Sequence, residues 1–162
     1  DAKERGKSGV CMLGAEKQKA WLSDQNFARR FGFETVDATP DGYELLALSL
    51  DGTKPRFAPS VTQRIDDKGL VVYYDMQCPF IPARVATLQK YCAEQGIPAR
   101  FVEVDSLAAA KSLPCVFNNW AVFYGGVFQT VNQLDPAALE RILKRKKSAG
   151  SSACRIRNGL IE

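Results

Sequence analysis

Gly69-Leu70-Val71-Val72-Tyr73-Tyr74-Asp75-Met76-Gln77-Cys78-Pro79-Phe80 decides the fold of the larger part of the chain. Its first half is β-branched and aromatic, the pattern of a buried strand. Three polar-to-flexible residues later comes Cys78-Pro79, and Pro79 suits the first position of a helix because its missing N–H is not needed there. Downstream, Val85, Leu88 and Cys92 fall on one helical face and Gly96 stops the helix. Arg100 to Val104 reads as a second strand, and Ser106 caps a short helix through Lys111. Pro114 opens an apolar stretch from Cys115 to Phe123, which Tyr124-Gly125-Gly126 turns back into Val127 to Val131. Asp135-Pro136 starts a last helix with Leu139, Ile142 and Leu143 inward. The order is β-α-β-α-β-β-α, an α/β class.

Upstream the reading changes. Asp1–Arg5 ends at Gly6 as a helix ends at its C-cap. Val10-Cys11-Met12-Leu13 is a continuous apolar run, expected as a buried strand. Ser23-Asp24 can cap a helix over about 24–31, ended by Gly32. Phe33 to Val36 and Tyr43 to Leu50 read as further strands. Between the pieces, Gly52 to Pro59 is rich in breakers and Asp66-Asp67-Lys68-Gly69 is a turn, so residues 53–68 are expected to be a linker. The expected organisation is therefore a first domain over 1–52, that linker, a second domain over 69–146, and a mobile basic tail over 147–162.

The 162 residues are 46% hydrophobic and 25% charged, an ordinary globular composition. No run approaches eighteen apolar residues, which argues against a membrane helix. The first residues lack an initiator Met and the apolar core of a signal peptide, so the segment is expected to begin inside a longer protein. The formal charge of +4 is unevenly placed. Residues 1–138 hold 15 Lys and Arg against 16 Asp and Glu, net −1, whereas the last 24 residues hold 7 against 2, net +5. Arg141, Lys144-Arg145-Lys146-Lys147, Arg155 and Arg157 carry that excess. With no aromatic or Gly-rich partners beside it, the run reads as a solvated helix end rather than a nucleic-acid surface.

There is no His. That removes Ser-His and Cys-His nucleophile pairs and any metal site needing imidazole. Five cysteines, Cys11, Cys78, Cys92, Cys115 and Cys154, make an odd number without a C-x-x-C pair. This points to a reduced, cytoplasmic protein rather than a secreted disulfide framework.

The element order, the Tyr74-x-x-x-Cys78-Pro79-Phe80 motif and Leu113-Pro114 before the third strand resemble the thioredoxin fold in its glutaredoxin-like form, over about residues 69–146. The resemblance implies a cis bond at Pro114 and a reactive Cys78. Ile81 stands where that family has its second cysteine, so only monothiol chemistry would remain. The first piece, with Phe31-Gly32-Phe33-Glu34 between helix and strand, resembles the last third of the GNAT acetyltransferase fold: a partial GNAT sheet. In that family a Tyr four residues before the Gly often serves as general acid; here the place holds Ala28, and Trp21 replaces a common early Asn.

Taken together, Gly9-Val-Cys-Met-Leu-Gly14, Tyr-Glu-Leu-Leu at 43–46, Tyr-Tyr-x-x-Gln-Cys-Pro-Phe at 73–80 and Asn-Asn-Trp-Ala-Val-Phe-Tyr at 118–124 resemble the YoaP-like family, which joins an N-terminal GNAT domain to a YoaP-like domain. The resemblance implies acetyl transfer from acetyl-CoA to an amine in the parent protein. Its cofactor loop would lie outside this sequence, so no bound cofactor is expected here. The alternative is a monothiol redox or thiol-binding module.

Cys78 is then the candidate catalytic residue, since a thiol at a helix N-terminus meets free N–H donors and the positive end of the dipole, the alternative being a packing cysteine kept from a redox ancestor, with no basic residue within three positions. Pro114 and Cys115 are candidate substrate-binding residues, Cys115 as a partner for Cys78 or as a residue pointing elsewhere. Cys11 and Cys92 read as buried small hydrophobes. Trp120 with Phe117, Phe123 and Tyr124 would make a core or a ligand groove, and Asp37, Asp41 and Glu44 a solvated loop. Expected partners are a small-molecule amine or thiol, without nucleic acid or membrane. Half a sheet leaves an unpaired strand edge, which invites a homodimer.

Overall fold

A computed structural model describes residues 1–19 and 21–145. The basic tail expected over 147–162, with Cys154, lies outside the described residues. The chain divides into two compact units, residues 1–63 and 64–162.

The first unit begins with a single helical turn. Lys7 N donates to Ala2 O and Gly6 N to Lys3 O, both at 3.0 Å, while Gly6 takes φ +63°. This pair of bonds around a left-handed glycine is how a helix end satisfies its last carbonyls. Strand β1 (Gly9–Ala15) pairs antiparallel with β3 (Tyr43–Ser49) along its whole length, from Gly9 opposite Ser49 to Ala15 opposite Tyr43. Strand β2 (Glu34–Ala38) pairs antiparallel with the other edge of β3, with a register shift at Val36. The order is β1-β3-β2. Helix α1 (Gln25–Arg30) lies between β1 and β2 in sequence, capped by Asp24, whose carboxylate accepts Asn26 N at 2.9 Å. Leu46 and Tyr43, in the central strand, are buried because β3 alone has a neighbour on each side.

The first unit runs past its last strand. Phe57 N donates to Asp37 Oδ2 at 2.8 Å, tying residue 57 to β2. The division falls after Gln63, inside the interval expected to be a linker. Residues 64–68 are held by the second unit, where Arg64 bridges Val127 and Ile65 N donates to Gly126 O.

In the second unit β4 (Leu70–Tyr74) is central. It pairs parallel with β5 (Ala99–Glu103) and antiparallel with β6 (Trp120–Tyr124), and β7 (Val127–Thr130) pairs antiparallel with β6. The order is β5-β4-β6-β7. Alternation along the strands splits the core in two. Leu70, Val72, Trp120 and Val122 face helix α2 (Ile81–Glu94) and a last helix, α4 (residues 136–145). Val71, Ala121, Phe123 and Cys115 form the opposite cluster. A short helix α3 (Leu107–Ser112) follows β5, with Ser106 Oγ accepting Ala109 N at 3.2 Å.

Three expectations change. Pro79 is not in the helix: residues 76–80 form a turn in which Ile81 N donates to Cys78 O, and α2 starts at Ile81 with Pro82, not Pro79, in its first turn. The third strand starts at Trp120 rather than Cys115, because Pro114 and Asn118-Asn119 bend the chain before it. No cis peptide bond occurs among the described residues, so Leu113–Pro114 is trans.

Candidate functional site

Cys78 lies in the turn between β4 and α2, two residues before the cap of the helix rather than at its first turn. Its thiol is half-buried and packs against the α2-side core. The donor at its sulfur is the Gln133 side-chain amide, with Nε2 at 3.9 Å from Sγ. Gln133 comes from the segment before α4, and its role was invisible in sequence because 55 residues separate the two.

Pro114 is half-buried and Cys115 buried. Cys115 packs with Val71, Ala121 and Phe123, on the face of the sheet away from the cluster that holds Cys78. The structure therefore does not bring the two cysteines together. The two segments pack on opposite faces of the sheet: Cys78 joins the cluster of Val72, and Cys115 the cluster of Val71.

The other thiols separate by burial. Cys92 is buried on α2, and burial pushes its thiol above the usual range. Cys11 is exposed, contrary to expectation, because β1 is an edge strand and its first residues are covered by little beyond β3. Trp120 and Phe123 are fully buried, which assigns the aromatic group mainly to the core. The carboxylates of the first unit are engaged locally: Asp37 accepts Phe57 N, Asp41 accepts the Thr39 hydroxyl at 2.6 Å, and Glu44 pairs with Arg29 at 3.0 Å. In the basic run, Lys144 pairs with Glu140 at 2.8 Å.

A cleft that sequence reasoning missed opens in the second unit. It has a volume of about 680 Å³ and lies outside the carboxyl ends of β4 and β5. Asp75, directly after β4, lines one side, and Glu103, Asp105 and Leu107 line the other, with Phe117 and Asn118 between. Val104 N donates to Tyr74 O at 2.7 Å and Asp75 N to Asn119 O at 3.2 Å, so the two strand ends and the loop before β6 are fixed to one another. The usable sequence signal was acidic residues immediately after two neighbouring parallel strands, the usual location of ligand crevices in α/β sheets.

No group of three or more Cys, Asp or Glu able to hold a metal occurs among the described residues. Acetyl-CoA is also poorly matched by the first unit. A pyrophosphate wants free backbone N–H groups and the positive end of a helix. Here α1 has six residues, and the Asp24 carboxylate already occupies that end. Ala28 is buried and gives no proton donor. No step of acetyl transfer is assigned to these residues.

A family model described as YoaP-like matches residues 98–141. The chain is also similar to a Bacillus subtilis (strain 168) protein named "Uncharacterized N-acetyltransferase YoaP", 28% identical over 146 residues. That match covers 88% of this chain and 58% of the relative, so the chain spans less than two thirds of that protein's length. No solved structure matches. No helix among the described residues is long and apolar enough to cross a membrane.

Proposed function

We propose that the chain is the C-terminal part of a GNAT-type N-acetyltransferase that moves an acetyl group from acetyl-CoA to an amine, followed by a thioredoxin-like domain. The observation that carries the reading is the similarity over 146 residues to a protein named as an N-acetyltransferase, which extends through both units. Two features of the fold support it. The antiparallel order β1-β3-β2, with α1 between β1 and β2, suits the end of a GNAT sheet. The order β5-β4-β6-β7, with one parallel and two antiparallel neighbours, suits a thioredoxin-like domain.

In this reading the cofactor-binding loop and the general acid come from elsewhere in the whole protein. The outer edge of β1, which has no strand partner among the described residues, is a pairing surface for a second copy. The setting is reduced and cytoplasmic. The thiol alternative keeps Cys78 as its one candidate nucleophile and has weaker support, since its sulfur faces an amide and a hydrophobic cluster rather than a cation.

The test is acetyl transfer by the native polypeptide that carries this chain, followed as amine-dependent release of CoA thiol across a panel of primary amines. Turnover with at least one amine is expected. Absence of amine-dependent release across the panel, with acetyl-CoA intact, would overturn the reading.

A further inference from the structure

The outer edge of β1 has a pattern of its own. In an antiparallel ladder, hydrogen-bonded pairs recur at every second residue. Leu50 N donates to Ser8 O at 2.8 Å and Glu16 N to Gly42 O at 2.9 Å, so even-numbered residues along β1 direct their backbone groups at β3. The odd-numbered residues direct theirs outward. At the two ends these are already engaged: Lys7 N donates to Ala2 O at 3.0 Å, and Ala15 N and O are both taken by the Gln25 side chain. Between those ends Gly9, Cys11 and Leu13 present N–H and C=O groups with no partner among the described residues.

Strand edges template pairing with another chain unless charge, proline, a bulge, shortness or a cover defends them. The other sheet edges among the described residues are defended. Strand β2 carries Glu34, Asp37 and a register shift, β5 carries Arg100 and Glu103, and β7 is four residues long with Arg64 bridging Val127. Strand β1 has seven residues with no charge, no proline and no register shift. Its open groups are also symmetric. Cys11 is exposed and stands midway between Gly9 and Leu13, so a twofold axis at Cys11 sets Gly9 of each copy against Leu13 of the other. Every open N–H and C=O then meets its complement. A slip of two residues either way would set Gly9 against Ala15, or Leu13 against Lys7, both engaged already. Gly9 has no side chain, and Leu13 of the second copy falls over it, beside a cavity of about 210 Å³ lined by Gly9, Cys11, Ala47 and Pro55.

We propose that the chain forms a twofold dimer in which β1 pairs antiparallel with β1 of a second copy, Cys11 opposite Cys11, joining two three-stranded sheets into one. This gives a register to the pairing surface named with the proposed function and rests on that reading. Its measurement uses neither acetyl-CoA nor an amine, so the dimer and acetyl transfer fail separately. The contact is one strand wide, which makes the dimer weak and reversible.

The full chain in reducing buffer is followed by sedimentation from about 10 µM to about 1 mM, with dimerisation expected at a Kd on the order of 100 µM. Hydrogen exchange at Gly9, Cys11 and Leu13 should be about fourfold slower at the higher concentration by mass action, with residues 70–74 unchanged. Cys11→Lys, at an exposed position, sets like charges opposite one another and should weaken the dimer at least about tenfold, as should Cys11→Glu. An equimolar mixture of the two variants should recover pairing to within about threefold of the wild type. A monomer throughout, a dimer as tight in Cys11→Lys as in the wild type, or no recovery in the mixture would overturn the proposal. Amides of Gly9, Cys11 and Leu13 already protected at about 10 µM would put another segment of the polypeptide on this edge and overturn it equally. If Cys11→Lys does not fold, exchange at these amides that is independent of concentration overturns it instead.

Discussion

Gly14→Ala tests the packing on which the first unit depends. Gly14 sits in β1 opposite Glu44, and a Cβ there would lie 2.5 Å from Gln25 Oε1 and inside van der Waals reach of Leu46 Cδ1. Neither neighbour yields easily. Gln25 closes the end of β1 like a strand partner: its Oε1 accepts Ala15 N at 3.0 Å and its Nε2 donates to Ala15 O at 2.6 Å. Leu46 is fully buried in the central strand. Displacing the Gln25 amide forfeits two hydrogen bonds of about 1 kcal/mol each. Crowding Leu46 costs a further ~1–3 kcal/mol, offset by up to about 1 kcal/mol from the stiffer unfolded chain. The net expectation is a loss of about 2–4 kcal/mol. Hydrogen exchange should resolve it, because peptides covering 9–15 and 43–49 report the first unit separately from the second. Exchange there should accelerate about 30-fold to 1,000-fold, with 70–74 and 120–124 unchanged. Gln25→Ala removes the oxygen that Gly14→Ala would strike, so the double variant should cost less than the two singles added, by about 1–2 kcal/mol. Acceleration of less than about threefold in Gly14→Ala would refute the close approach, and strict additivity would leave Leu46 as the sole obstacle.

Two further outcomes follow from the second unit and its thiols. In a Cys154→Ser background, a thiol reagent should label exposed Cys11 first, half-buried Cys78 more slowly, and Cys92 only as the protein unfolds, its thiol held protonated by burial. Labelling of Cys78 ahead of Cys11, abolished by Cys78→Ser, would revive the monothiol reading. Tyr91 donates its hydroxyl to Glu140 at 2.7 Å; this bond to the carboxylate raises the Tyr91 phenol above its ordinary value, and Lys144 chiefly, then Tyr91, lowers the Glu140 carboxyl. A raised phenol contributes stability that is present below its unfolded value near 10 and is lost as pH rises through the folded one. A lowered carboxyl contributes above 4.5 and is lost as pH falls. The difference in Tm between the wild type and Tyr91→Phe should therefore be largest between those limits and shrink at both ends, whereas a difference independent of pH would contradict the pairing.

What was legible in sequence follows a physical line. Local patterns gave elements: Asp24 and Ser106 cap the helices they were expected to cap, and Gly6 ends a helical turn, because these signals act within four residues. The strand at 70–74 was legible because five consecutive β-forming residues leave no competing period. Where two prolines compete, the pattern misleads. Pro79 and Pro82 both suit an early helical position, and the turn bonded from Ile81 N to Cys78 O hands the start to the second. Faces were harder. Cys11 looked buried because its run is apolar, yet burial depends on how many strands flank β1, which its own sequence does not state. Cys78 and Cys115 looked close because the thioredoxin resemblance sets the residue after Pro114 beside the first-helix cysteine, whereas Cys115 packs with Val71 and Phe123 on one face of the sheet and Cys78 with the α2-side cluster on the other.

The cleft was hidden for a different reason. Asp75 and Asp105 lie 30 positions apart, and each alone reads as a residue at a turn. Only the parallel pairing of Tyr74 with Glu103 brings those turns side by side, so the site is a property of register rather than of any motif. That argument also ranks the two candidate places in the second unit. The Cys78 turn was found by motif, yet its sulfur meets only an amide donor and a hydrophobic cluster. The cleft was found by register and presents a buried carboxylate, two rim carboxylates and exposed apolar surface to one space. Register, rather than motif, therefore gathers the larger polar and apolar surface of this unit into one space, beyond the ends of β4 and β5.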